Sequence, residues 1–356
     1  MAKLSDVLTI INGRNQKQVE CENGKYPIYG SGGIMGYAND YICEAETVII
    51  GRKGNINKPI FVETPFWNVD TAFGLCANRK KLNPKYLYYF CEKFDFEKLN
   101  TTVTIPSLTK ANLLSIEIPL PDLNQQERIS TYFDKVSDLI SLRKQQLAKL
   151  DELVKARFVE MFGECSSIRP QKLKEVTRRV KVGFVGTCEK YYTDNTGVPM
   201  LRTTNITSHG IDLKDLKYVT KTFHEKNLKS QVHKGDLLIA RHGSNGQANV
   251  YYGDEAQCLN AIIIEPDSNI TNPIFLVNLI NSRSVKRQIE KELVGSTQHV
   301  LNTTTLANVE VEIPTIKDQQ AFAAFVERVD QQKQTVQQSL EKLELMKKAL
   351  MQEYFG

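Results

Sequence analysis

An internal duplication constrains this chain more than any other feature of its sequence. The chain ends in Tyr354-Phe355-Gly356, and a similar ending, Met161-Phe162-Gly163, stands near its middle. Upstream of these endings, Ile116-Glu117-Ile118-Pro119 resembles Val311-Glu312-Ile313-Pro314. A repeat of this length indicates two similar structural units within one chain of 356 residues.

The duplication extends into the less similar region before each ending. Apolar runs precede both Arg52-Lys53-Gly54-Asn55 and Arg241-His242-Gly243-Ser244, and Asn83-Pro84 matches Asn272-Pro273 at the same offset. Asparagine followed by proline is typical of a helix start, because the amide caps the helix and proline fits its first turn. We therefore expect each half to contain a variable body followed by a helical tail.

Each tail has a heptad-like apolar pattern. The pattern predicts helices over residues 124–162 and 317–355 that pack antiparallel as a coiled coil. Each predicted seam carries one cation, Arg143 or Lys333, and their different heptad positions favour pairing within the chain. The alternative is two separate surface helices with solvated cations. The predicted seam residues are Val136, Ile140, Leu147, Leu150, Val329, Val336, Leu340 and Leu343.

The bodies are predicted to mix short strands with single helices. The two Asn-Pro pairs predict helices over residues 84–99 and 273–293. Short β-like runs lie among Gly, Asn and Pro turns, at residues 47–50, 60–62, 237–240 and 261–264.

The predicted fold class is therefore α+β, with a pseudo-two-fold repeat. Two tandem α+β domains are expected, separated and joined by two long antiparallel coiled-coil helices. The predicted segments are a first domain at residues 1–120, a first helix at 121–163, a second domain at 164–314 and a second helix at 315–356.

Composition excludes several classes of protein. Lys and Arg number 46 against 41 Asp and Glu, so the net charge of +5 permits nucleic-acid binding only through local patches. No apolar run approaches the length of a membrane helix, and no secretory signal is expected. The seven cysteines are scattered and never form a CxxC pair, which predicts reduced thiols and a cytoplasmic location.

Motifs for catalysis or metal binding are weak. The glycine-rich run at residues 30–36 is not GxGxxG and lacks the Lys-Ser/Thr of a Walker loop. The Asn-Pro pairs resemble the Asn-Pro-Pro-Tyr box of adenine methyltransferases, but both lack the second proline. The five histidines all lie in the second half without HxxxH spacing. We expect no catalytic residue, no metal and no cofactor in this chain.

Polar loops supply the candidates for DNA contact. Arginine can donate two hydrogen bonds to guanine or to a phosphate, and Asn or Gln can form hydrogen bonds with the edge of adenine. The alternative for Arg52 and Arg241 is a β-turn arginine that serves only its own body. The predicted DNA-binding residues are Arg14, Asn15, Lys17, Arg52, Lys53, Asn55, Lys58, Thr102, Thr104, Arg202, Thr204, Asn205, Arg241, His242, Ser244, Asn245, Gln298 and His299.

The order of these segments resembles the specificity (S) subunit of type I restriction–modification enzymes. A variable body, Ile-Glu-Ile-Pro or Val-Glu-Ile-Pro, a Gln-Gln helix start, a long helix and Phe-Gly occur twice. The resemblance implies that each body is a target-recognition domain reading half of a split DNA sequence. It implies that the helices pack antiparallel and set the distance between the half-sites.

The resemblance also implies partners. The subunit would have no catalytic centre and would recruit two modification subunits that methylate adenine with S-adenosylmethionine. Through them it would recruit two restriction or motor subunits. Two other interpretations remain at this point: a coiled-coil interaction scaffold that reads no DNA, and a stand-alone DNA methyltransferase.

Overall fold

The chain forms two compact units in a computed structural model that describes residues 1–99, 107–163, 168–207, 210–241, 246–294 and 300–356. The first unit combines Met1–Gln146 with Val336–Gly356, and the second is Leu147–Thr335. Each unit thus contains one body and part of both tails. The predicted segment boundaries after residues 120, 163 and 314 stay predictions.

The first unit contains a four-stranded sheet in the order β2-β8-β5-β6 and a three-stranded sheet in the order β4-β3-β7, while β1 pairs with β9. Its elements are β1 (Ala2–Lys3), α1 (Leu4–Val7), β2 (Leu8–Asn12), β3 (Tyr26–Gly30), β4 (Gly33–Ala38), β5 (Thr47–Gly51), β6 (Ile60–Val62), β7 (Trp67–Asn68), β8 (Ala72–Ala77), α2 (Pro84–Lys93), α3 (Lys110–Leu114), β9 (Glu117–Ile118) and the start of α4 (Leu123–Phe162).

The second unit repeats this plan with a larger second sheet. Its sheets have the orders β11-β21-β18-β19 and β12-β16-β13-β20-β17, with the pairs β10-β22 and β14-β15. Its elements are β10 (Gln171–Lys172), β11 (Thr177–Val182), β12 (Tyr192–Thr193), β13 (Val198–Arg202), β14 (Ile206–Thr207), β15 (Gly210–Ile211), β16 (Lys217–Val219), α5 (Lys221–Lys226), β17 (Gln231–Val232), β18 (Leu237–Ala240), β19 (Ala248–Val250), β20 (Ala256–Leu259), β21 (Ala261–Pro266), α6 (Pro273–Ile280), α7 (Arg283–Val294), α8 (Thr303–Ala307), β22 (Glu310–Val311) and the start of α9 (Ile316–Phe355).

The duplication is visible in the strand register. In the first unit, β5 and β8 pair Val48 with Leu75 and continue to Gly51 with Ala72. In the second, β18 and β21 pair Leu237 with Ile264, and both partners lie 189 positions further along (237 minus 48; 264 minus 75). All four pairs of this ladder are repeated in this way. The predicted α+β repeat is therefore confirmed at the level of individual residue pairs.

Both predicted body helices are shorter than expected. Helix α2 ends at Lys93, and a separate 3₁₀ turn follows at Phe96–Leu99. In the second unit, α6 ends at Ile280 and α7 begins at Arg283. The interruption lies where the Asn281 amide exchanges two hydrogen bonds of 2.9 Å with the backbone of Ala248. In the first unit, the N–H of Phe96 at the start of the 3₁₀ turn donates to the Asn57 side chain at 2.8 Å. The continuous helices predicted at residues 84–99 and 273–293 were wrong, because helical periodicity does not register such contacts.

A buried glutamine fastens the start of α4 to the first body. Gln126 has no exposed surface, and its Oε1 accepts a hydrogen bond of 2.8 Å from the backbone N of Asn83. Its Nε2 donates to the carbonyls of Lys81 and Pro121. The Asn83 side chain caps α2 in turn. One side chain therefore joins the cap of the body helix to the first turn of the long helix.

The second unit has the same arrangement at the start of α9. Gln319 is fully buried, and its Oε1 accepts from the backbone N of Asn272 at 2.8 Å. Its Nε2 donates to the carbonyls of Ile270 and Pro314. Asn272 caps α6 as Asn83 caps α2. Each donor and acceptor of the first arrangement thus has a counterpart in the second.

The long helices agree with the predicted 124–162 and 317–355 to within one residue. In the first unit, Phe133 stacks on Phe355 at 5.8 Å between ring centroids, and Arg143 donates to Ser339 at 3.2 Å. The partner number falls as the residue number rises, so the helices run antiparallel. Their antiparallel coiled-coil character is confirmed.

The second unit shows the same direction. Lys333 forms an ion pair of 2.6 Å with Asp151, and Phe158 packs against Phe322. The cations Arg143 and Lys333 therefore have different partners, Ser339 and Asp151, each within its own unit. Separate helices with solvated cations were the alternative, and these contacts exclude it.

The predicted seam residues all lie on the covered side of their helices. Four are buried and four are half-buried, so no seam position is fully solvated. The buried ones are Val136, Val329, Val336 and Leu340, and the half-buried ones are Ile140, Leu147, Leu150 and Leu343. Among the described helices, none is long and apolar enough to cross a membrane.

We predict that Gln126→Leu lowers the free energy of unfolding of the first unit by about 2–4 kcal/mol. The substitution leaves one backbone N–H and two carbonyls without their buried partner. Gln125→Leu is the matched control, because this neighbouring side chain is exposed and its loss is worth about 0.5 kcal/mol or less. Urea unfolding of both variants makes the comparison, and equal stabilities would contradict the role of Gln126.

Candidate nucleic-acid interface

Two predicted DNA-binding loops of the first unit leave the same end of the four-stranded sheet. Strand β2 ends at Asn12, which pairs with Phe73 of β8. Strand β5 ends at Gly51, which pairs with Ala72 of the same strand. The segments that carry Arg14 and Arg52 therefore begin at the same end of the sheet, on either side of β8, although they are distant in sequence.

The backbone holds these segments against the β7–β8 connection. The N–H of Arg14 donates to the carbonyl of Asn68, and the N–H of Arg52 donates to that of Thr71, both at 2.8 Å. An Asx turn, in which the N–H of Lys17 donates to the Asn15 side chain, shapes the first segment. We call residues 13–17, 52–55 and 68–71 the sheet-end loops.

Gly51 is required for the turn that follows β5. A Cβ atom at this position would lie 2.6 Å from the carbonyl oxygen of Asn55, closer than any real side chain approaches. Gly54 adopts a φ of 74°, which lies in the left-handed region that glycine enters without strain. The two glycines fold the Arg52 segment back on itself and leave Arg52, Lys53 and Asn55 exposed.

The sheet-end loops carry an excess of positive charge. Arg14, Lys17, Arg52 and Lys53 are exposed, and none has a carboxylate partner within the described residues. Asp70 is the carboxylate on these loops. The Arg52 guanidinium lies 5.8 Å from the centroid of Phe73, which orients the arginine without neutralising it. Such a cluster can bind phosphate groups of a nucleic acid.

The remaining predicted residues of the first unit that the structure describes are also exposed. Asn15 and Asn55 lie on the sheet-end loops. Lys58 is exposed on the segment before β6, outside the sheet-end loops. The predicted contacts Thr102 and Thr104 lie outside the described residues. The structure thus brings six of the predicted residues together: Arg14, Asn15, Lys17, Arg52, Lys53 and Asn55.

Arg241 is the repeat counterpart of Arg52 but has a different environment. Both follow the same strand of the repeat, and a leucine N–H donates to the carbonyl of each, Leu301 to Arg241 and Leu108 to Arg52. The Arg241 side chain is half-buried; its Nε donates to the Leu301 carbonyl at 3.3 Å and an Nη to Asn260 Oδ1 at 3.1 Å. The Arg241 side chain is therefore bound by residues of its own body. This was the alternative interpretation of the motif.

Two further predictions in the second unit need correction. Asn205 is buried, and its side chain accepts from the N–H of Arg202 and donates to the carbonyls of Asp212 and Asp215. The Arg202 guanidinium binds the carboxylate and carbonyl of Asp215. Both side chains stabilise a loop rather than project from it. Thr204 is exposed.

Other predicted contacts of the second unit fall outside the described residues. These are His242, Ser244, Asn245, Gln298 and His299.

Lys286 on α7 is a half-buried cation near Gly246 that the sequence analysis did not single out. A Cβ atom at Gly246, which ends the segment after Arg241, would lie 3.7 Å from its Nζ. Burial lowers the pKa of Lys286 to about 8. Helical spacing in the sequence could have indicated this position, since Lys286 follows Val285, and Val285 and Ile289 form the buried face of α7.

The motifs that resemble cofactor-binding or catalytic sequences have structural roles. The glycine-rich run at residues 30–36 forms the turn and second strand of the β3–β4 hairpin, and Gly33 has a φ of 117°. The Asn-Pro pairs cap helices. Among the residues that the structure describes, no three His, Cys, Asp or Glu side chains converge on a point where a metal could bind.

The duplicated sheets, the duplicated helix starts and the antiparallel helices define a protein of two repeated modules. A sequence profile described as the type I restriction modification DNA specificity domain matches residues 1–152 and 180–345. The chain belongs to this family, that of the specificity subunits of type I restriction–modification systems.

Relatives from distant organisms align over most of their length. A putative type I restriction enzyme specificity subunit of Haemophilus influenzae is 24% identical over 344 residues, with 92% of this chain and 86% of that protein covered. The MjaVIII specificity subunit of Methanocaldococcus jannaschii is also 24% identical, with 86% and 75% covered. The resemblance inferred from the repeated motifs is thus confirmed.

Two solved structures share the fold. The type I S subunit of M. genitalium superposes with a TM-score of 0.67 at 14% identity, covering 100% of this chain and 95% of that one. A chain from a study of assembly and conformational transition in the type I system gives a TM-score of 0.58 at 15% identity, covering 99% and 96%. The chain is thus a DNA target-recognition subunit of a restriction–modification system, and specificity subunits of this family are generally non-catalytic.

We predict that Arg241→Ala and Arg52→Ala differ in their effect on stability. Arg241→Ala removes a half-buried guanidinium together with its two hydrogen bonds. It should lower the free energy of unfolding by about 1.5–3 kcal/mol. Arg52→Ala removes an exposed contact with one ring and should cost about 0.5 kcal/mol. Urea unfolding measures both, and equal losses would show that the two arginines have the same role.

Proposed function

We propose that each body of this chain reads one half of a bipartite DNA site, and that the paired helices set the spacing between the halves. The observation that carries the proposal is the repeat of the sheet register and of the glutamine arrangement in both units. Two equivalent modules on one chain match a duplex that presents two half-sites.

The first body offers a surface suited to this task. Its sheet-end loops present Arg14, Lys17, Arg52 and Lys53 to solvent on backbone that is fixed by hydrogen bonds. A fixed backbone reduces the entropy lost on binding, and exposed cations release counterions from the DNA. Asn15 and Asn55 supply amides of the type that pair with adenine.

The proposal includes partners but no chemistry in this chain. The subunit binds double-stranded DNA and recruits two modification subunits, which carry S-adenosylmethionine and methylate adenine. Through them it associates with up to two restriction or motor subunits. One of the structural neighbours comes from work on complex assembly in the type I system, which supports such partners. The exposed apolar residues of α4, among them Leu139 and Leu142, are available for contact with another subunit.

We predict that Arg52→Ala weakens binding of the assembled complex to its target duplex. If Arg52 contacts a phosphate, affinity falls for all sequences and the slope of log affinity against log salt decreases by about 0.9. If Arg52 contacts a base, the loss is about 1–3 kcal/mol and discrimination relaxes in one half-site only. Binding titrations at several salt concentrations, with half-site variants, separate the two.

Arg79→Ala is the matched control for this experiment. Arg79 is also an exposed arginine of the first unit, but it forms an ion pair of 2.9 Å with Glu46 and lies outside the sheet-end loops. Arg79→Ala should leave the affinity of the complex for its target duplex unchanged, together with the slope of log affinity against log salt. If Arg52→Ala behaved like Arg79→Ala, the sheet-end loops would not be the DNA-binding surface.

A further inference from the structure

The β3–β4 hairpin lies between the two cationic segments of the sheet-end loops. On one side, Tyr29 of β3 pairs with Asn68, which also accepts the hydrogen bond from Arg14. On the other side, the hairpin tip packs against Gly51, the residue before Arg52, because a Cβ at Gly51 would lie 3.0 Å from the Cβ of Ser31. The tip therefore belongs to the same surface as Arg14 and Arg52.

The hairpin tip is narrow, and its two glycines face open space. Cβ atoms added at Gly32 and Gly33 would meet no other atom within 4 Å. Ser31 and Gly32 alone connect the two strands, since Gly30 pairs with Gly33. A two-stranded ribbon without bulky side chains at its tip has the dimensions that the DNA major groove admits.

Two apolar side chains are exposed next to this tip. Ile34 is 55% exposed and Met35 is 61% exposed, although both belong to a β-strand. The register shifts between Ile28 and Tyr29, so Met35 is the extra residue of a β-bulge. Its thioether lies across the backbone of Gly30, where an added Cβ would be 2.6 Å from the sulfur. The bulge thus exposes an apolar side chain to water on the hairpin surface, which is energetically unfavourable in the free protein.

We propose that the tip of the β3–β4 hairpin enters the major groove of the DNA and that Ile34 and Met35 make apolar contacts with base edges there. The 5-methyl group of thymine is the apolar feature that this groove displays. This inference rests on the proposed function and adds the element and the chemistry that discriminate bases in the first half-site.

Charge identifies DNA, rather than a second protein, as the occupant of this surface. The sheet-end loops that contact the hairpin carry four exposed cations, Arg14, Lys17, Arg52 and Lys53, and a single carboxylate, Asp70. Glu20 approaches the hairpin at Gly36, nearer the other end of β4. Cations beside an apolar tip match a duplex, whose phosphates border each groove.

The first test uses two substitutions that the free protein tolerates. Gly32→Leu adds a side chain in open space, at a φ outside the left-handed region, and Ile34→Ser removes an exposed apolar group. With the modification subunits present, each should lower affinity for the selected duplex at least about tenfold without changing the melting temperature. The probe is a random-sequence pool of DNA duplexes and the duplex selected from it.

Arg79→Ala is again the control, because Arg79 is exposed in the first unit, pairs with Glu46 at 2.9 Å and lies outside the hairpin and the sheet-end loops. Its affinity should equal that of the wild type. Wild-type affinity in Gly32→Leu and Ile34→Ser would overturn the hairpin inference alone. Absence of DNA binding by the wild-type assembly would overturn the proposed function together with it.

The second test uses the unaltered sequence, so it does not depend on how variants fold. Hydrogen peroxide oxidises exposed methionines, and Met35 and Met346 are 61% and 44% exposed. Adding the selected duplex to the assembly should slow oxidation of Met35 at least about fivefold and leave the rate at Met346 unchanged, as measured by mass spectrometry. Equal rates at Met35 with and without bound duplex would overturn the inference.

Discussion

The hydrogen bonds of two buried glutamines are the contacts on which the rest of this structure depends. Gln126 and Gln319 each satisfy one N–H and two carbonyls where a long helix begins. A buried amide is stable only when its partners are in place, so each glutamine specifies one position of the helix relative to its body. The two long helices begin at equivalent positions on their bodies because Gln126 and Gln319 bind equivalent backbone groups.

This constraint separates a fixed frame from loops that are free to differ. The sheet register and the helix caps repeat, whereas the surroundings of the arginine that follows the shared strand do not. Arg52 is exposed at a position where Arg241 is bound by its own body. A protein that discriminates between DNA sequences needs this division, since affinity and specificity reside in the loops while the frame orients them.

Sequence patterns predicted the parts of this fold that depend on local periodicity and on the repeat. The long helices, the Asn-Pro caps and several strands follow from spacing alone, because apolar positions and capping residues act on their immediate neighbours. The break at Asn281 depends on a contact with Ala248, which is distant in sequence. Asn205 is bound by the backbone of its own loop, through Arg202, Asp212 and Asp215. An asparagine in a polar loop has the same sequence signature whether it reads a base or holds its own backbone. The Ile34–Met35 surface was missed because exposure of an apolar strand residue is a tertiary property.

The adenine-methylation pattern made by the assembled complex tests the central claim most directly. DNA modified by this chain with its modification subunits should carry two specific blocks separated by a fixed unspecified gap. A seven-residue heptad inserted in both helices, after Gln146 and after Thr335, lengthens each by about 10 Å, the length of about three base pairs. The account predicts the same two blocks with a gap longer by about that amount. A single continuous motif, or a heptad insertion that changes the bases read, would contradict it.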